Sequence, residues 1–119
     1  MAWAMRRGEV RLVDLDPTLG READKRRPAV VVSNDRANAS ADRLGRGVVT
    51  VAPITSNVAR VFPFQVLVPA GPGGLRVASK VQAEQVRSVA VERIGPALGH
   101  LSAAVMADVD QALRLHLHL

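Results

Sequence analysis

The chain has 119 residues, of which 48% are hydrophobic and 23% charged, and a formal net charge of +5. That is the size of one domain, spanning 1–119, with enough apolar content to bury a core, so a wholly disordered chain is excluded. There is no Cys, which excludes a disulfide framework, a thiol nucleophile and a thiolate metal site.

Strand signals dominate the first two-thirds. Residues 10–15, V-R-L-V-D-L, alternate in part and predict a strand. Asp16-Pro17 and Gly20 end it and open a polar loop through Lys25. The β-branched run at 28–32, P-A-V-V-V, predicts a buried strand. Ser33-Asn34-Asp35 then caps a short helical turn over 36–40. Gly45-Arg46-Gly47 reads as a turn, and 48–55 as another strand in which Pro53 marks a bulge or an edge. Residues 62–68, F-P-F-Q-V-L-V, read as a strand whose two Phe either supply stacking or, as is commoner for Phe, point to the core. A Pro- and Gly-rich loop follows at 69–74. Residues 79–85 have room for one or two short strands, 91–94 for one helical turn, and 97–101 for a last strand after the break at Gly95-Pro96.

The final segment changes period. Ser102 is a candidate N-cap, and Val105, Val109, Leu113 and Leu117 recur every four residues, with Met106 and Ala112 beside them. Asp108 and Asp110 lie nearer the start of this helix, and Arg114 and two His near its end, as the helix dipole favours. Short strands followed by one helix predict a mainly β, α+β domain: a small antiparallel barrel with a packed C-terminal helix.

Fourteen of the sixteen basic residues are Arg, whose planar fork of donors matches phosphate, and the sequence pI is about 11.2. That balance points to a nucleic acid or an acidic protein partner, while an Arg-biased genome accounts equally well for the excess of Arg over Lys. No apolar stretch approaches the roughly 20 residues of a membrane helix. No hydrophobic run follows Arg6-Arg7, so neither a membrane anchor nor a secretory leader is expected. His116 and His118 are two apart and do not share a helix face, so no metal site is expected from the His residues.

Three clusters carry candidate chemistry. The loop at 20–28 holds Arg21, Glu22, Lys25, Arg26 and Arg27 ahead of Pro28. Pro28 biases Arg27 toward an extended backbone, so Arg27 sits at the mouth of a strand, where it either faces a phosphate or belongs to a solvated basic loop. Thr55-Ser56-Asn57 ends an apolar strand and either touches a phosphate or ribose or closes a turn. In 82–88, read as a strand, Glu84 shares a face with Gln82, and Gln85 with Arg87; a partly buried Glu84 then needs a partner such as an Arg.

Taken in order, these clusters resemble the MazF/PemK family of toxin endoribonucleases over nearly the whole chain. The resemblance rests on R-R-G-E-V-R-L-V-D-L-D-P at 6–17, then Gly20 and Glu22. R-P-A-V-V-V-S-N-D at 27–35, A-P-I-T-S-N at 52–57, A-E-Q-V-R-S-V at 83–89 and V-M-A-D-V-D-Q-A-L-R-L at 105–115 follow. It implies an SH3-like, strongly bent antiparallel barrel of the MazF/PemK/CcdB type, a homodimer in the cytoplasm, and cleavage of single-stranded RNA at short sequences. No cofactor or metal takes part, and the products carry 2′,3′-cyclic phosphate and 5′-hydroxyl ends. A MazE-like antitoxin with an acidic C-terminal tail is the implied protein partner.

The family's catalytic Arg before Pro falls on Arg27 and its catalytic Thr on Thr55. Glu22 and Glu84 match acidic positions and are the two candidates for removing the 2′ proton, since a guanidinium keeps its own. Arg21, Lys25, Arg26, Ser56, Asn57, Gln85 and Arg87 are the expected RNA contacts. The chain departs from the family in having Arg11 and Leu12 where many members carry aromatic residues, and in having no Tyr. Two readings compete with the enzyme: a gyrase-poisoning toxin of the same fold, and an inactive RNA-binding barrel that keeps salt-sensitive affinity.

Overall fold

The computed structural model describes residues 5–15 and 26–119; Arg21, Glu22 and Lys25, with the rest of the loop predicted to end at Lys25, lie outside them. Seven strands are present: β1 (Glu9–Asp14), β2 (Arg26–Val31), β3 (Val48–Thr55), β4 (Gln65–Val68), β5 (Ser79–Gln82), β6 (Arg87–Ala90) and β7 (Ile94–His100). Two helices, α1 (Asp35–Leu44) and α2 (Ala103–Leu117), and two 3-10 turns, Ala83–Gln85 and Val91–Arg93, complete the described fold. The strand order is β4-β5-β3-β2-β1-β7, with β6 also pairing β3, and every pairing is antiparallel.

The β-branched run of β2 reads as continuous because both faces are covered. Val30 enters one core cluster with Val10, Ile54, Val81 and Val109, and Ala29 and Val31 enter the other with Val13, Val51 and Ala41. The first cluster lies under α2 and the second under α1. Strand β3 carries the bend of the sheet: residues 48–51 pair with β6, while Ile54 and Thr55 pair with β5 on the same edge. Pro53 sits at this change of partner, after the β6 ladder ends and before the β5 ladder begins, so its missing N–H breaks neither.

The two ends of the sheet, β4 and β7, meet through glycine. A Cβ on Gly74 would stand 2.0 Å from the Leu98 carbonyl oxygen, and one on Gly99 would stand 2.5 Å from the Gly73 carbonyl carbon. Only bare backbone allows that approach, and Gly74 also has φ +82°. The loop after β4 is thereby pressed on β7 and the wrap becomes barrel-like.

Several sequence expectations shift. Helix α1 runs ten residues rather than one turn: Asn34 caps it by accepting from Ala37 N–H, and Gly45 ends it at φ 67°. Inside, buried Asn38 donates to the Ser33 carbonyl and shares a hydrogen bond with the Ser33 hydroxyl, which fixes the helix to the sheet. Gly95-Pro96 does not break the chain but lies within β7, an end strand with register shifts against β1, where a proline is tolerated. Residues 62–64 precede β4 instead of belonging to it. Ser102 does cap α2, and Met106, Val109 and Ala112 are buried; Leu117 is 49% exposed, beyond the reach of the core. No acidic residue lies in the first turn of α2; Asp110 instead pairs with Arg7 at 2.5 Å. Among the described residues, no helix is long and apolar enough to cross a membrane.

Candidate active site

The β2–β3 register sets Ala29 opposite Pro53 and Val31 opposite Val51. Carried two residues past the last pair, the same register puts Arg27 opposite Thr55. Residues opposite each other in antiparallel strands project to the same side, so the two side chains face one region. Thr55 is in turn opposite Lys80 on β5, and Lys80 opposite Leu67 on β4. One row of side chains thus crosses the sheet.

A cavity of about 510 Å³ opens where β2 begins and β3 ends. Arg27, Pro28, Thr55 and Ser56 form one side; Leu12 and Ile54 give it an apolar floor; Gly74 to Val77, Ser79 and Leu98 close the other side. The glycine contact between the Gly74 loop and β7 therefore also sets the wall of this cavity.

Arg27 is exposed and has no carboxylate within ion-pair distance among the described residues. Among the described residues no carboxylate meets its fork, whose geometry suits phosphate. Thr55 is half-buried, and its Oγ1 accepts the Asn57 N–H at 3.2 Å. That bond occupies one lone pair and leaves the hydroxyl proton available to donate into the cavity. Asn57 is itself held in a turn, its Oδ1 accepting from Ala59 N–H at 3.3 Å. Ser79 is spoken for, donating to the Val77 carbonyl at 2.9 Å.

The other expected residues are distributed differently. Ser56 lines the cavity; Arg26, Asn57, Glu84, Gln85 and Arg87 do not. Arg26 stands opposite Asp14, with its guanidinium against Gly95. The segment at 82–88 is not one strand: the 3-10 turn at Ala83–Gln85 separates β5 from β6, so the face-sharing expected there does not hold. The partner of Glu84 is Gln65 rather than an Arg. Gln65 Nε2 donates to Glu84 Oε2 at 2.8 Å, while the buried Oε1 has no hydrogen-bond partner among the described residues.

Two cations escape a reading of sequence clusters. Arg76 lines the cavity from the far wall, and Lys80 is buried beside Thr55. Each is a lone basic residue in a segment without other charges, so no local pattern marks it. Only the folding of the glycine loop and the pairing of β5 bring them to the site.

The bent antiparallel barrel sets Arg27, which meets no carboxylate among the described residues, beside the Thr55 hydroxyl on one wall of a cavity, a donor set whose chemistry matches an anion. Residues 6–117 match the family described as PemK-like, MazF-like toxin of type II toxin-antitoxin system, and the chain belongs to that family. It is 63% identical to endoribonuclease MazF9 of Mycobacterium tuberculosis over 97% of this chain and 98% of that protein. It is 31% identical to endoribonuclease EndoA of Bacillus subtilis over 97% and 96% of the two chains. Among solved structures, MazF of Deinococcus radiodurans superposes with a TM-score of 0.73 at 29% identity, covering 99% of this chain and all of that one.

Proposed function

We propose that this chain is the toxin of a type II toxin–antitoxin pair, a metal-independent endoribonuclease that cuts single-stranded RNA in the cytoplasm and slows translation and growth. The observation that carries the reading is the convergence of Arg27 and Thr55, by one strand register, on a single cavity. Family membership and the endoribonuclease names of MazF9 and EndoA support it.

In the proposed reaction the ribose 2′-oxygen loses its proton and attacks the adjacent phosphorus. The O2′–P bond forms, the P–O5′ bond breaks, and the leaving 5′-oxygen takes up a proton. The products are a 2′,3′-cyclic phosphate and a 5′-hydroxyl. Arg27 stabilises the extra negative charge of the phosphorane, where preorganised cationic donors act most strongly. Thr55 donates its free proton to a non-bridging oxygen and fixes the phosphate in line. Arg76, across the cavity, holds the RNA strand. Of the two candidate carboxylates, Glu22 is the one proposed to accept the 2′ proton, since Glu84 lies outside the cavity and is tied to Gln65. Arg21, Lys25, Arg26, Ser56, Asn57, Gln85 and Arg87 make the remaining RNA contacts.

The working form is a homodimer, and a MazE-like antitoxin with an acidic tail neutralises the surplus positive charge. MazF of D. radiodurans is seen with MazE in a structure that superposes with a TM-score of 0.72 at 27% identity, which supports such a partner. The test is cleavage of a mixed RNA in EDTA by the wild type, Arg27→Ala and Thr55→Ala, with the ends mapped. Wild-type cutting at a few short sites is expected. Arg27→Ala should lose about 10²–10³-fold in rate, and Thr55→Ala about 10–100-fold. An Arg27→Ala protein that cuts like the wild type overturns the assignment.

A further inference from the structure

The sequence holds two Phe, one Trp and no Tyr. Phe is ordinarily a core residue, yet neither Phe62 nor Phe64 belongs to either core cluster. Both lie between β3 and β4, and Phe62 is 39% exposed. Their rings are parallel within 4°, with centroids 5.3 Å apart. The Arg60 guanidinium stands 5.5 Å from the centre of the Phe62 ring and the Lys80 ammonium 6.0 Å.

This arrangement is held in place. The Phe62 N–H donates to Gln65 Oε1 at 3.1 Å, the Phe62 carbonyl accepts from Gln65 N–H at 2.9 Å, and buried Gln65 is tied to Glu84. Lys80 Nζ donates to the Arg60 carbonyl at 2.5 Å. Lys80 is only 8% exposed and has no carboxylate within ion-pair distance among the described residues. A buried cation without a counter-ion is costly, and a bound anion relieves that cost. Lys80 is also the cross-strand neighbour of Thr55, so one residue links the aromatic pair to the lining of the cavity.

We propose that Phe62, Phe64, Arg60 and Lys80 form a nucleotide subsite beside the cut, where the base of a neighbouring nucleotide stacks on the Phe62 ring and its phosphate is met by Lys80 and Arg60. Single-stranded RNA is recognised through unstacked bases laid on aromatic or guanidinium planes, and the surface offers here a fixed plane with cations at its rim. The subsite selects sequence at one position next to the cut. It rests on the reading of the chain as an RNA-cutting enzyme.

The experiment combines a random-sequence RNA pool with an abasic scan. Wild type, Phe62→Ala and Phe62→Tyr cut the pool, and an abasic nucleotide is then moved through the preferred site. Phe62→Ala should flatten base preference at one flanking position and lower kcat/KM about 5–150-fold, the worth of one stacked base. The abasic substitution there should add nothing further to Phe62→Ala, and Phe62→Tyr should restore the preference. Unchanged preferences in Phe62→Ala, or additive losses at every position, overturn the subsite while leaving the nuclease intact. A wild type that cuts no RNA overturns the enzyme reading instead. The subsite is then read by binding of oligo(rA) and oligo(rU), where Phe62→Ala should weaken affinity and Lys80→Met should reduce the salt slope by about 0.7; unchanged binding and slope overturn it.

Discussion

At the scale of single residues, the site depends on donors that the described residues do not use. Arg27 has no acidic partner among them, and the Thr55 oxygen accepts from Asn57 N–H, which leaves its hydroxyl proton to donate. Arg27→Lys should therefore be poor, retaining charge but losing the two-pronged donor geometry. Its rate is expected between those of the wild type and Arg27→Ala, measured as single-turnover cleavage. Arg76 is argued to hold the strand in ground and transition states alike. Arg76→Ala should raise KM with little change in kcat and reduce the salt slope of RNA binding by about 0.7, one phosphate contact on a single strand. The family resemblance singled out Arg27 and Thr55; by themselves Pro28 gives Arg27 only an extended backbone, and Thr55 is only where an apolar strand ends. The sequence left Arg76 and Lys80 unmarked, since neither stands in a charged cluster. It left Phe62 and Phe64 between core and stacking and favoured the core, whereas the strand begins only at Gln65 and neither ring joins a core cluster.

At the scale of elements, caps and glycines decide what the hydrophobic period does not. Ser102 accepts from Val105 N–H at the start of α2. Ser102→Ala should cost about 1 kcal/mol in urea unfolding and leave cleavage unchanged, because no residue of α2 lines the cavity. Gly74→Ala should behave in the opposite way. Its new Cβ would meet the Leu98 carbonyl oxygen at 2.0 Å at a residue with φ +82°, so loop and β7 must part. A loss of about 2 kcal/mol or more is expected, together with reduced cleavage, since the same loop carries Arg76. Equal cleavage by Gly74→Ala and wild type would show that the glycine contact does not shape the site. Helix α1 was legible only as a turn: its caps are local, but its length is set by Asn38 and Ala41 packing on the sheet.

At the scale of the whole molecule, a net charge of +5 and an Arg-lined cavity make RNA affinity electrostatic. If Arg27, Arg60, Arg76 and Lys80 each meet one phosphate, the plot of log affinity against log salt should have a slope of about −3. Titration of a short single-stranded RNA at several salt concentrations measures it, and a flat plot would remove phosphate contact as the basis of binding. The barrel itself was legible early, because runs such as P-A-V-V-V and V-V-T-V-A-P-I-T have strand period or continuous β-branched character. What those runs determine is local: strand, helix, cap, and the approach of Arg27 to the end of its strand. Partners do not follow from them, since an ordinary strand pattern is silent about which edge it pairs. The tertiary structure alone decided that β3 changes partner at Pro53, that the Gly74 loop closes on β7, and that Lys80 stands beside Thr55 with Arg76 across the cavity from it. Those placements come from contacts between segments far apart in the chain, whose strength depends on backbone approach and shared burial rather than on any short stretch of residues.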